Sequence, residues 1–323
     1  MNINHKNVDL DCQYNDILKN VVFKPIFILG VQRSGTSILY KLLSETGAFN
    51  IVTAYHIINN KEIVYNHINK KEEKSKKDLD VFFKNLSQND RKIDKLKITP
   101  DFPEEYGFLL SKETNNSKLT SESIDIFIRF CKKIQLISEN DKPLLLKNPF
   151  DFKNFIYLSS IFPEAKFIFI HRNPVKTLNS QLRAMRILLK QKSEYMSILS
   201  PGYSKIFKNK ILLEYYRFLY SSITPLRVNN AIKNLVFSTD YFLNNIKYLD
   251  DKKFMNTRYE DICDKSNDEI KKIMNFLDIA INFNIDFAYE VKPRSIDLLK
   301  EIKDREKQIQ KRMESYLKYF NYS

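Results

Sequence analysis

Residues 25–43 read PIFILGVQRSGTSILYKLL: an apolar run of strand length, a turn bracketed by glycines, and the start of a helix. Within it, Gly30-Val31-Gln32-Arg33-Ser34-Gly35-Thr36-Ser37 has the spacing of the phosphate-binding loop G-x-x-x-x-G-K-[ST], with Thr36 where the lysine belongs. Gly30 and Gly35 permit the turn, and the amides of residues 33–37 face a helix N-terminus that favours anions. Thr36 and Ser37 add hydroxyl donors. Hydrolysis of a nucleoside triphosphate needs two further parts, the loop lysine and an acid that holds Mg²⁺. Both are missing: FIFI runs into His171-Arg172 and PLLL into Lys147, not into aspartate. Arg33 puts its charge earlier in the loop, which suits a 5′-phosphate with a less charged terminal group, held without a metal.

A second segment, FPEAKFIFIHRNPVKTLNSQL, reads as a strand ending in Arg172, the pair Asn173-Pro174, and a helix carrying Ser180 in its early turns. Arg172 offers a planar donor fork and Ser180 a hydroxyl, and both can reach one phosphate. Two phosphate cradles on neighbouring strands imply a nucleotide phosphorylated at two places. For a proton acceptor, His56 follows FNIVTAY at the end of a strand expected beside the loop, and a neutral imidazole of pKa about 6.5 suits that task. Glu104 and Glu105 in DFPEEYG are its rivals. His5 and His67 lie in a terminal and a charged segment, and His171 is expected to pack beside Arg172.

These residues need a scaffold that collects them. Apolar runs recur at 24–30, 49–54, 142–149, 166–174 and 253–261, with helical patterns between them. Such alternation predicts an α/β fold: a parallel sheet flanked by helices, with ligand sites at the carboxyl ends of the strands. The glycine loop, His56, Lys147 and His171-Arg172 all fall just past such an end. Residues 61–99 predict a charged helical insertion with an apolar patch at Val81, Phe82, Phe83 and Leu86. Residues 204–222 place Ile206, Ile211, Leu212, Tyr215, Tyr216 and Leu219 at helical spacing, which predicts core. The stretch 295–320 predicts a C-terminal amphipathic helix. With no internal repeat or low-complexity linker, residues 1–323 are expected to form a single domain.

Composition bounds the function class. The chain has 53 Lys and Arg against 39 Asp and Glu, a net charge of +14, which favours an anionic partner. A nucleic-acid-binding module would use that charge but predicts a continuous basic face and strong salt dependence across long polyanions; no nucleic-acid partner is expected. No apolar run reaches the roughly 18–20 residues that span a bilayer, and the N-terminus lacks the pattern of a signal peptide. Cys12, Cys131 and Cys263 are widely spaced, so neither a disulfide framework nor a metal site is predicted, and a cytoplasmic location is expected.

Taken together, the segments resemble the sulfotransferase superfamily, whose donor is 3′-phosphoadenosine 5′-phosphosulfate (PAPS). PIFILGVQRSGTS is similar to its 5′-phosphosulfate loop, and FIFIHRNPVKTLNS to its 3′-phosphate motif, carrying Arg172 and Ser180. LLLKNPFDFKNFIYLSSIFPEAKF resembles a segment of tyrosylprotein sulfotransferases and bacterial relatives in which the lysine matching Lys147 lies at the reaction centre. FMNTRYEDICDKSNDEIKKIMNFLDI is similar to the R-Y-E-D-L segment, and DFPEEYGFLL to a P-E-E segment of one bacterial branch. The matches follow the family's order from residue 25 to about 280. There are departures: Gln32-Arg33 replaces the commoner Pro-Arg or Pro-Lys, Arg183 lies three residues after Ser180 where tyrosylprotein enzymes have an arginine at four, and Lys292 and Arg294 match no motif.

The resemblance implies a P-loop NTPase-like three-layer fold and in-line transfer of a sulfuryl group to an acceptor hydroxyl. Arg33, Ser34, Gly35, Thr36 and Ser37 would hold the 5′-phosphosulfate, Arg172 and Ser180 the 3′-phosphate. Lys147 would neutralise the bridging oxygen, and His56 or Glu105 would take the proton. Sulfuryl carries less charge than phosphoryl, so no metal is required. The chain has no Trp beside 18 Tyr and 24 Phe, which tilts the acceptor towards an apolar alcohol or phenol of sterol-like character, because sugar sites often stack on Trp. A carbohydrate, and then a protein tyrosine, are the alternatives for the acceptor; a P-loop nucleotide kinase is the alternative activity.

Overall fold

A computed structural model of the protein describes residues 8–86, 91, 93, 96–281, 285–289 and 297–322. His5, Lys292 and Arg294 lie outside the described residues. Five strands form one sheet: β1 (Pro25–Leu29), β2 (Asn50–Ile51), β3 (Leu144–Lys147), β4 (Lys166–His171) and β5 (Phe254–Arg258). Their order is β2-β3-β1-β4-β5, parallel throughout, with helices between successive strands. This is the α/β architecture expected from the alternation. All of β1 and β3 and five of the six residues of β4 are buried, which is why these strands read as unbroken apolar runs: helices cover both faces. The edge strands differ. β2 is two residues long, and β5 carries Asn256, Thr257 and Arg258.

The order corrects the placement of His56. β2 pairs with β3, not with β1, and the chain leaves it for the helix Ala54–Ile58, which contains His56. Proximity in sequence does not decide neighbours in a parallel sheet, because the crossover can return on either side.

The chain divides into two compact units, Met1–Pro25, Ala48–Leu146 and Lys192–Lys208 in one, Ile26–Gly47, Lys147–Gln191 and Asn209–Ser323 in the other. In the first, helices Ile63–Ile68 and Glu72–Lys84 occupy the charged stretch. Leu79 and Phe83 turn inward while Val81 is exposed. In the second, Phe169 of β4 packs edge-on against Phe155 and Phe242, and His171 stacks on Phe320 with centroids 3.8 Å apart.

Two helical expectations change. Helix Lys210–Tyr220 buries only Leu219, whereas Ile211, Tyr215 and Phe218 face solvent. The helix is apolar almost all round, so packing one side on helix Pro174–Lys190 necessarily leaves the opposite stripe out. The C-terminal segment forms three short helices, Lys300–Lys303, Glu306–Arg312 and Glu314–Tyr319. Ile302, Ile309, Met313, Tyr316 and Phe320 stay buried through the breaks, so the apolar stripe survives where the helix does not. No helix among the described residues is long and apolar enough to cross a membrane.

Candidate functional site

β1 ends at Leu29, and the loop that follows is built by steric necessity. A Cβ on Gly30 would lie 2.5 Å from Ser34 Oγ and 2.6 Å from the Ile170 carbonyl oxygen, so only glycine fits beside β4. Gly35 has φ +108°, and a Cβ there would lie 2.4 Å from the Tyr259 ring. Arg33 also sits in the left-handed region, at φ +70°, which for a side chain of this size costs about 1–2 kcal/mol. The Ser34 amide donates to the Val31 carbonyl at 3.0 Å. The expected cradle of amides 33–37 is therefore corrected at Ser34, whose N–H closes the turn. Its Oγ is buried and makes no hydrogen bond.

Helix Thr36–Glu45 begins at Gly35 without a side-chain cap and without an acidic residue in its first turn. The amides of Thr36, Ser37 and Ile38 thus have no acceptor within the helix, and the positive end of the helix dipole is left unneutralised. That combination binds anions.

The second motif meets the loop. Arg33 Nε donates to Ser180 Oγ at 3.2 Å, and Arg172 Nη1 donates to the Arg33 carbonyl at 3.0 Å. The Arg172 guanidinium lies over the Tyr259 ring, 4.3 Å from its centroid, and no carboxylate among the described residues pairs with it. Its Nε is buried without a partner. Asn173 caps the next helix by accepting from the amides of Val175 and Lys176, and Pro174 opens it. Glu260 accepts the Asn173 amide, and Gln181 Nε2 donates to the Gln32 carbonyl at 2.8 Å. Arg183 is directed elsewhere, donating to the Asp297 carbonyl.

Lys147 ends β3, is fully buried, and donates from Nζ to Ser37 Oγ at 2.9 Å. A buried polar chain fixes the backbone after it: Asn148 and Asn154 each donate to one oxygen of Asp151, at 2.8 and 2.9 Å. The amide donors at i−3 and i+3 orient the buried carboxylate, and with it the turn that leaves Lys147.

His56 has a different occupation. It closes a capping box with Thr53, whose amide donates to Nδ1 at 3.2 Å while the His56 amide donates to Thr53 Oγ1. A neutral imidazole that accepts at Nδ1 carries its proton on Nε2 and has no lone pair left for a substrate. Burial lowers its pKa to about 4. Glu104 is fully buried and accepts from Tyr195 Oη at 2.6 Å and from the Glu105 amide. Glu105 is the buried residue preceding helix Tyr106–Thr114.

His171, held by Tyr316 Oη and Asn256 Oδ1, is likewise kept neutral, its pKa lowered by burial to about 3. Both folded values lie below the unfolded one of about 6.5, so the unfolded chain binds more protons as the pH falls. The stability they contribute is present above about pH 6.5 and declines towards pH 3–4. At pH 5 each imidazole is expected to cost about 2 kcal/mol relative to pH 7, about 4 together. Urea midpoints at the two pH values measure this, and His56→Gln should remove about half of the difference. Equal midpoints would show that neither imidazole is kept from its proton.

Two features escape a reading of residue types. Tyr259, in the segment similar to R-Y-E-D-L, has no donor role by residue type, yet its ring lies against Gly35 and Arg172. The Asn148, Asp151 and Asn154 triple is legible in retrospect as polar residues at spacing three after a buried strand. Among the described residues, no three His, Cys, Asp or Glu side chains assemble as a metal site.

The model of the "Sulfotransferase family" matches residues 25–282. The fold is similar to that of sulfotransferase STF9 from Mycobacterium avium, with a TM-score of 0.66 and 15% identity over 97% of this chain and 81% of that one. It is also similar to sulfotransferase STF1 from Mycobacterium tuberculosis H37Rv, with a TM-score of 0.51 and 14% identity over 94% and 79% of the two chains. No curated protein matches the chain in sequence.

Proposed function

Because the chain belongs to the sulfotransferase family, enzymes whose donor is PAPS, we propose that it transfers a sulfuryl group to the hydroxyl of a small acceptor, an apolar alcohol or phenol in preference to a sugar. The observation that carries the donor assignment is the junction of the two phosphate motifs. Residues 147 positions apart meet through Arg33 and Ser180, and Arg172 touches the loop backbone. One ligand with phosphates at two places fits that junction. The absence of Trp supports the apolar acceptor, and three cysteines without disulfide partners suit a reducing, cytoplasmic compartment.

When bound, the donor supplies an activated sulfuryl group on a 5′-phosphate. The chain's part is to bind, orient and neutralise. The uncapped amides of Thr36, Ser37 and Ile38 and the Arg33 guanidinium would favour the 5′ anion, with the hydroxyls of Thr36 and Ser37 as further donors. Ser34 shapes the turn from within. Arg172 and Ser180, the latter now accepting from Arg33, would hold the 3′-phosphate. Lys147, beside Ser37, provides positive charge where negative charge grows on the leaving oxygen. Glu105 is proposed as the proton acceptor in place of His56, whose Nδ1 lone pair caps its own helix.

Calorimetry with the desulfated product, adenosine 3′,5′-bisphosphate, tests this reading. Binding is expected without magnesium and in preference to ATP. Arg172→Ala should weaken it by about 2–3 kcal/mol and Ser180→Ala by about 1 kcal/mol, the scale of charge-assisted and neutral hydrogen bonds. Tighter binding of ATP, or an Arg172→Ala variant that loses thermal stability but keeps its affinity, contradicts the assignment.

A further inference from the structure

Arg172 is matched above to the 3′-phosphate, yet its guanidinium makes one hydrogen bond among the described residues, and that bond goes to the other motif: Nη1 to the Arg33 carbonyl, 3.0 Å. The peptide between Arg33 and Ser34 is planar and trans, so its carbonyl and its N–H point in opposite directions. Arg172 holds the carbonyl on one side. On the other, the Ser34 N–H donates to the Val31 carbonyl at 3.0 Å. One peptide plane is thereby clamped from both sides, at a residue whose φ of +70° an arginine rarely adopts.

The Tyr259 ring completes the brace. It lies under the guanidinium, 4.3 Å from centroid to Cζ, and its edge fills the space where a Cβ on Gly35 would sit. The peptides of residues 33–35, which set the direction of the amides at 35–37, are thus held by two side chains from outside the loop. We propose that Arg172, braced by Tyr259, is a positioning residue for the 5′-phosphosulfate loop as well as a ligand of the 3′-phosphate, so that one side chain couples the two anion subsites. This rests on the donor reading above, and it adds that a change at the 3′ side is felt by a ligand that has no 3′-phosphate.

Adenosine 5′-phosphosulfate, which lacks that phosphate, separates the two roles. Its affinity and that of adenosine 3′,5′-bisphosphate are measured by calorimetry on the wild type and four variants, with thermal melts alongside. Arg172→Ala should weaken both ligands, the phosphosulfate by about ten-fold or more, as for a lost charge-assisted bond. Arg172→Lys restores a cation for the 3′-phosphate but not the planar fork that lies on Tyr259, so it should recover part of the bisphosphate affinity and little of the phosphosulfate affinity. Tyr259→Phe keeps the ring and should retain more of the phosphosulfate affinity than Tyr259→Leu, which should weaken it. Should Arg172→Ala not fold, Arg172→Lys and the two Tyr259 variants carry the comparison. If the Arg172 variants bind the phosphosulfate within two-fold of the wild type while losing the bisphosphate, the clamp is refuted and the donor reading stands. If the wild type binds neither nucleotide, both fall.

Discussion

Lys147→Met should lower kcat about 10²–10³-fold while leaving the affinity for adenosine 3′,5′-bisphosphate nearly unchanged. That range, about 2.7–4 kcal/mol, is what removal of one preorganised charge-stabilising donor costs a transition state. Lys147 is fully buried, so its stem is packed and methionine retains most of that volume. What the substitution removes is the ammonium and its bond to Ser37 Oγ. An interaction used only as charge develops appears in kcat, whereas one used in ground-state binding appears in donor affinity. Rapid-quench turnover and product calorimetry on one preparation distinguish the two. Unaltered turnover with a lowered melting temperature would make Lys147 a structural lysine that only organises Ser37.

A larger loss, about 10²–10⁴-fold, is expected for Glu105→Gln, the range for removal of a general base. The paired control is His56→Gln. Glutamine suits the third position of a capping box, so it can take over the acceptor role that His56 Nδ1 plays for the Thr53 amide. It offers no basic lone pair. Turnover of His56→Gln is therefore expected close to that of the wild type, with the stability change confined to pH values below about 6.5. Collapse of His56→Gln with Glu105→Gln unimpaired would return the proton to the histidine and require its capping bond to break during turnover.

Much of this protein is readable from the order of its residues. The three central strands read as unbroken apolar runs because a sheet covered on both faces needs continuous hydrophobic segments there. The glycines at 30 and 35, and the arginine and serine of the second motif, are local chemistry at fixed spacing, and both motifs sit at carboxyl ends of β1 and β4, adjacent strands in the sheet. The site's parts could be listed from that alone. Their employment could not. Whether His56 offers a lone pair depends on the tautomer that a Thr53 amide selects, and the pairing of the strand before it with β3 depends on a crossover direction that residue types do not encode. The apolar stripe of Ile211, Tyr215 and Phe218 faces outward because the other side of the same helix packs first. Arg172 reaches a carbonyl 139 positions away, a contact created by the pairing of β1 with β4. Spacing along the chain specifies which groups are carried on one strand, turn or helix end. Which lone pairs and donors are already used is a property of distant backbone brought within 3 Å, and it exists only once the chain has folded.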